Sequence, residues 1–105
     1  RPDVLPVLLQ LAWLRASCPE DSLRDGARAI QLVEMARTLE PQASAVTHLV
    51  AAAALAELGR FEEAVEATAE AKQHAGEGNA QLAQRALALE NLFRLRQPLR
   101  SGEPL

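Results

Sequence analysis

The stretch "LAELGRFEEA", residues 55–64, carries the clearest local signal in the chain. It predicts the end of one helix, a corner at Gly59 and the start of a second helix, because glycine readily adopts the left-handed conformation that terminates many helices. The residues on either side are good helix formers. The stretch therefore predicts two consecutive helices joined by a short bend.

Glycine and proline divide the rest of the chain into further helical segments. We expect helices at about residues 4–17, 22–39, 45–58, 61–75 and 80–96. Residues of the type that caps helix N-termini precede them: Asp3, Ser22 with Asp25 as a capping box, Ser44 and Asn79. The third segment is apolar on all sides, which predicts a helix buried between neighbours. The fold class is therefore expected to be all-α.

Composition limits the size and the partners of this fold. The 105 residues are enough for one domain, and alanine supplies much of the 49% apolar fraction, so the core must be built from close helix contacts. The net charge of −3 argues against nonspecific nucleic-acid binding. We expect neither a membrane span nor a signal peptide in this sequence. The compartment stays open, with the cytoplasm slightly favoured.

Two of the helix pairs are similar to the tetratricopeptide repeat, a helix–turn–helix of about 34 residues with small residues at fixed contact points. In the second pair, the matching residues are Ala51, Ala52, Leu55, Gly59, Ala64 and Ala71. In the first pair, they are Leu11, Ala12, Ala29, Val33, Ala36 and Pro41. The insertion "CPEDSLRDG" enlarges the first turn, and His48 stands where the family pattern has Trp.

This resemblance implies an α–α superhelix over residues 1–96. It contains an enlarged first repeat at about 5–41, a second repeat at about 45–78 and a capping helix at about 80–96, followed by a flexible tail at 97–105. The repeats are similar to those often found at the C-terminal ends of larger bacterial proteins. The first helix lacks a polar cap, so we expect that further repeats precede Arg1 in the parent protein.

The resemblance also implies a concave, apolar binding surface, formed by the first helix of each pair, that holds a peptide or a helix. By register its residues are Leu9, Trp13, Ala16, Leu49, Ala53, Ala56, Glu57, Leu87, Glu90 and Asn91. Trp13 is either the anchor for a partner or a core residue of the repeat, and the sequence leaves both open. Apolar residues stand where some family members have a Lys and Asn clamp, so recognition of a terminal carboxylate is not expected.

Catalytic motifs are missing from the sequence. His48 and His74 fall on different helices without a partner at a known catalytic spacing, and we interpret them as surface or interhelical residues. Cys18 is more typical of a partly buried small residue than of a reactive thiol. The acidic face of the fourth helix (Glu62, Glu63, Glu66 and Glu70) is typical of solvated charge. We therefore expect no enzyme activity, no cofactor and no metal.

Three functions remain possible for such a module. The first is a protein–protein interaction module, and the second is a non-catalytic structural or oligomerisation appendage of a larger enzyme. The third is a small helical nucleic-acid binder, whose affinity would fall steeply with added salt. The last helix has more leucines than its apolar stripe can hold, which suggests that the surplus mediates self-association. The surplus residues are Leu87, Leu92 and Leu95. A basic C-terminal group, comprising Arg85, Arg94, Arg96 and Arg100, fits favourable charge at a helix C-terminus better than nucleic-acid or lipid binding.

Overall fold

The computed structural model describes residues 4–105, and within this range the chain is all-α, with no strand. Its helices are α1 (Val4–Ser17), α2 (Gly26–Arg37), α3 (Ala45–Glu57), α4 (Phe61–Ala75) and α5 (Ala80–Arg94), with one 3₁₀ turn (Glu77–Asn79) before α5. The predicted all-α class with five helices is confirmed, and the arrangement is consistent with a helical repeat-like fold. The proposed cap at Asp3 lies outside the described residues.

The corner in the opening stretch forms as predicted. Gly59 has a φ of 79°, in the left-handed region. Its N–H donates to the carbonyl oxygen of Ala56 at 3.0 Å, and the N–H of Arg60 donates to that of Leu55 at 2.9 Å. This pair of bonds is the Schellman motif, which satisfies the last carbonyls of a helix and reverses the chain.

Two of the predicted helix caps are confirmed, and one is wrong. Ser44 accepts a hydrogen bond from the backbone N–H of Thr47 at 3.2 Å, and Asn79 accepts one from Leu82 at 3.1 Å. The second helix begins later than expected, since Asp25 rather than Ser22 caps it. The residues before Asp25 form a separate turn, closed by the bond from the N–H of Leu23 to the carbonyl oxygen of Glu20 at 3.1 Å.

Helix α3 lies at the centre of the fold, against α1, α2, α4 and α5. Most of its side chains are buried, as predicted for a helix that is apolar on all sides. The pair α3–α4 is antiparallel, because His48 near the start of α3 stacks on His74 at the end of α4. Buried alanines on facing helices, Ala52 on α3 and Ala64 and Ala71 on α4, permit the close approach that the sequence predicts.

The chain turns again after α5. Arg96 has a φ of 58°, and its N–H and that of Gln97 donate to the carbonyl oxygens of Phe93 and Leu92. This is a second Schellman motif, formed here without glycine. The turn directs residues 97–105 back toward α1. None of the helices in the described range has the length and apolarity required to cross a bilayer.

Candidate functional site

The predicted concave residues share a location but do not form an open surface. The six apolar residues from α1 and α3 are all buried in one core cluster: Leu9, Trp13, Ala16, Leu49, Ala53 and Ala56. The α5 residues Leu87 and Asn91 are exposed and lie outside that cluster. The expectation of an empty apolar groove therefore needs correction, because the inner side of α1 is covered.

The covering element is the C-terminal segment, residues 98–105, which we expected to lie in a flexible tail. It instead runs along α1 in the opposite direction. Three hydrogen bonds fix its path: Ser101 N–H to the Ser17 carbonyl at 2.8 Å, Trp13 Nε1–H to the Glu103 carbonyl at 3.1 Å, and Leu105 N–H to Gln10 Oε1 at 3.1 Å.

The spacing of these bonds identifies the conformation that α1 accepts. Alternate residues of the segment meet helix positions that are four and then three residues apart. Two residues of extended chain advance about 6.6 Å, and three to four residues of helix advance about 4.5–6 Å. A non-helical peptide, shortened here by the bend at Gly102 and Glu103, therefore keeps pace with one turn of α1 at every second residue.

Side chains add to the contacts made by the backbone. Leu99 and Leu105 are half-buried and pack against the core cluster. The Arg100 guanidinium donates to one carboxylate oxygen of Glu57 at 2.8 Å, while the other oxygen accepts from Arg24 at 3.1 Å. Glu57 is thus the acidic residue at the edge of the groove, and it holds a basic side chain of the segment.

Trp13 is the residue around which this site is built. Its side chain is only 2% exposed. The Arg85 guanidinium lies 4.9 Å from the centre of its ring, and its indole N–H is bonded to the C-terminal segment. Trp13 is therefore a core residue whose indole N–H also contacts the chain's own C-terminal segment. We call the surface formed by Gln10, Trp13, Ser17 and Glu57 the α1 groove.

The segment does not fill the groove completely. A cleft of about 270 Å³ lies between Gln10, Trp13 and Leu14 of α1 and the backbone of residues 101–104. A larger cleft of about 500 Å³ lies elsewhere, where the start of α4 meets the end of α5. Phe61 and Phe93 form its floor, and exposed charged side chains surround it.

Glu90, predicted to be a partner-binding residue, serves a different role. Its side chain is buried, accepts from Lys72 at 2.5 Å and from Arg94 at 2.8 Å, and so ties α5 to α4. The hydrogen bond from Lys72 and then that from Arg94 lower the pKa of Glu90 below its ordinary value, because both favour the ionised carboxylate.

The basic C-terminal group is engaged within the chain. Arg94 pairs with Glu90, Arg100 pairs with Glu57, and Arg85 covers the Trp13 ring. Arg96 lies 5.3 Å from the centre of the Phe61 ring. These contacts support a structural role for the four arginines. The contacts are ion pairs and ring contacts, however, and not the expected interaction with a helix dipole. Cys18 is buried, in agreement with its structural interpretation.

No family model, curated protein or solved structure matches the chain.

Reasoning from the sequence missed Gln10, Ser17 and the whole C-terminal segment as parts of the site. One signal for the segment was present, since "PLRSGEPL" places a proline directly before each of two leucines. Proline disfavours helix and favours extended chain, and a leucine in an extended segment needs an apolar surface to cover it. Nothing in the sequence indicated which helix provides that surface.

Proposed function

We propose that this chain is a tetratricopeptide-type interaction module that holds a non-helical, leucine-bearing peptide in the α1 groove. One observation carries the proposal: the chain's own C-terminal segment lies in that groove as a ligand would. The segment has neither helix nor strand and bends at Gly102 and Glu103; it is bonded through its backbone and packed against the core by two leucines. The helical pairing, the corner at Gly59 and the buried alanines support the resemblance to the repeat family.

The contacts define the chemistry of a preferred ligand. Hydrogen bonds to the segment's backbone from the Ser17 carbonyl, the Trp13 indole and the Gln10 side chain recognise non-helical chain of any sequence, and side-chain contacts provide selectivity. The groove favours two apolar residues six positions apart, as Leu99 and Leu105 are. It also favours a basic residue directly after the first apolar one, since Glu57 accepts from Arg100. A partner peptide with this pattern would displace the C-terminal segment.

Displacement by a partner requires the segment to leave the groove while the turn at Arg96 and Gln97 keeps it attached to α5. Taking the value for a short tether, the effective concentration of the segment is about 1 mM. A segment whose dissociation constant in trans is about 100 µM would then occupy the groove roughly ten times as often as it leaves it. A partner that binds about 1,000-fold more tightly competes at micromolar concentration, because the tether reduces its apparent affinity only by about that tenfold factor.

The experiment is a titration in trans. A chain that ends at Gln97, shown to be helical by circular dichroism, is titrated with a peptide of residues 98–105, and the fluorescence of the single tryptophan is followed. We expect saturable binding and a shift of emission to shorter wavelength, because the peptide covers Trp13. A peptide with both leucines replaced by aspartate is the matched control. Equal responses to the two peptides, or no response from a folded chain, would refute the proposal.

One observation favours the second candidate, a structural or oligomerisation appendage. Leu95 is 70% exposed and Leu87 is 47% exposed, on the last helix and its terminus, whereas Leu92 is half-buried against the core cluster. If Leu87 and Leu95 mediate self-association, light scattering will show a concentration-dependent dimer that Leu95→Asp abolishes. A chain that stays monomeric at high concentration and still binds the peptide in trans leaves only the first proposal.

A further inference from the structure

A cluster of metal-ligand side chains lies at the open end of the α3–α4 pair, opposite the corner at Gly59. His48 is in the first turn of α3, and Glu70 and His74 are one turn apart near the end of α4. The candidate ligand atoms of all three side chains lie within 4.8 Å of one another. The two imidazole rings stack with 4.8 Å between centroids and 27° between planes.

The geometry points to a binding site for a divalent transition-metal ion, of the Zn²⁺ class, held by His48, Glu70 and His74. It is independent of the proposed peptide groove, which lies on α1. Two imidazoles and one carboxylate are ligands that zinc and its neighbours prefer. With bond lengths near 2.1 Å, tetrahedral ligand atoms are about 3.4 Å apart. The ligand atoms need to close by up to about 1.4 Å, and the stacked rings need to turn about their Cβ–Cγ bonds so that their in-plane lone pairs converge on one point.

The surroundings keep these ligands available. Among the hydrogen bonds within residues 4–105, none involves either imidazole, so their lone pairs are uncommitted. The nearest ionic contact is from His74 Nε2 to Glu70 Oε2, at 3.7 Å. His48 is half-buried, and burial, followed by the nearby His74, lowers its pKa. A neutral imidazole near pH 7 is the form that binds metal.

A bound ion would link helices α3 and α4. The Gly59 corner closes one end of the α3–α4 pair, and a metal joining His48 to Glu70 and His74 closes the other. Three protein ligands leave a coordination position for water or for a partner's side chain. Because the folded pair presents the ligands together and the unfolded chain does not, metal binding stabilises the fold.

The test is calorimetric titration of the untagged, chelator-treated full chain with ZnCl₂. We expect one ion per chain, and binding at least tenfold weaker in His48→Gln and in His74→Gln. Glu70→Gln should weaken binding by a smaller factor, whereas Glu66→Gln, an exposed glutamate one turn earlier on α4, should leave it unchanged. Since His74 is largely at the surface, its variant keeps the test valid even if His48→Gln unfolds the chain.

Thermal unfolding gives a second measurement. At a free zinc concentration about tenfold above the dissociation constant, the unfolding midpoint should rise by roughly 6–10 °C, and His74→Gln should abolish the rise. Binding that is undetectable at 1 mM zinc, that persists unchanged in His74→Gln, or that disappears in Cys18→Ser instead would overturn the assignment.

Acid should release the ion, because protons compete for the imidazoles. The charged and titratable groups that act on His48 are Glu70 and His74 on α4, Arg37 at the end of α2 and Glu40 in the following loop. Zinc affinity should fall by at least tenfold between about pH 7.5 and pH 5.5, where free histidine becomes protonated. An affinity that is constant over this range would contradict histidine ligation.

Discussion

Replacing single glycines by alanine tests whether backbone conformation, rather than space, determines the helix corners. At Gly59, Gly76 and Gly78 an added Cβ would meet no atom within 4 Å, so a clash with neighbouring atoms does not distinguish the three alanine variants. Their backbones differ. Gly59 lies in the left-handed region, and Gly76, with φ 58° and ψ −157°, lies where almost only glycine is found. Gly78 has no positive φ and serves as the matched control.

The expected change in unfolding free energy is obtained by comparing two variants, because their effects on the unfolded chain cancel. Each substitution restricts the unfolded chain similarly, which alone stabilises the fold by about 0.4–1 kcal/mol. The difference between Gly59→Ala and Gly78→Ala therefore isolates the cost of a left-handed alanine, about 1–2 kcal/mol. Gly76→Ala should cost at least as much as Gly59→Ala, because its conformation is rarer. The order of stability is then Gly78→Ala, Gly59→Ala and Gly76→Ala.

Urea denaturation, followed by circular dichroism and by Trp13 fluorescence, measures this order. With a slope of about 1.5 kcal/mol per molar urea, a difference of 1–2 kcal/mol moves the midpoint by about 0.7–1.3 M between the Gly59 and Gly78 variants. Coincident curves from the two probes show that one transition is being compared. Equal midpoints for Gly59→Ala and Gly78→Ala would refute the assignment of a left-handed corner.

The same denaturation assay addresses the ion pairs and the close packing. Glu90→Gln should cost about 0.5–1.5 kcal/mol at neutral pH, because it removes the charge from two part-buried bonds whose donors, Lys72 and Arg94, are 34% and 62% exposed and so partly screened by solvent. In the wild type, the stability that the Glu90 carboxylate provides is present above the ordinary carboxyl pKa and is lost as the pH falls through the lowered pKa of the folded state. The stability of the Glu90→Gln variant should therefore depend less on acid pH. An identical pH dependence of stability in the two proteins would contradict a stabilising role for the ionised carboxylate. Ala71→Leu should cost about 1–3 kcal/mol by overpacking the α4 contact. Ala69 is exposed on the same helix, so Ala69→Leu should change stability by less than about 0.5 kcal/mol. Equal melting temperatures for the two leucine variants would contradict the close packing of α4.

Local signals in the sequence were enough to predict the helices. The bounds of α4 agree with the prediction, and Ser44, Gly59 and Asn79 act as predicted, because caps and corners depend on chemistry within four residues. The start of α2 was wrong because Ser22 and Asp25 are both good caps. Their competition is decided by the turn at residues 20–24 and by the Arg24–Glu57 pair, a contact between residues far apart in sequence.

The site was harder to predict because its parts come from opposite ends of the chain. Register alone placed Trp13 and Glu57 on the inner side, and both contact the C-terminal segment. Glu90 has the same register and is instead held by Lys72, a residue on the neighbouring helix. The stacking of His48 on His74 likewise depends on how α3 and α4 pair. Periodicity identifies the face of a helix, but not what covers that face.

The position of the C-terminal segment can be measured directly by NMR. The chain has one tryptophan, so its indole N–H gives one unambiguous proton resonance. If the α1 groove holds the segment, that proton will show nuclear Overhauser contacts to residues 102–104, and replacing Leu99 and Leu105 by aspartate will remove them. An indole proton without contacts to these residues, together with random-coil shifts throughout residues 98–105, would show that the groove does not hold this segment as a peptide ligand.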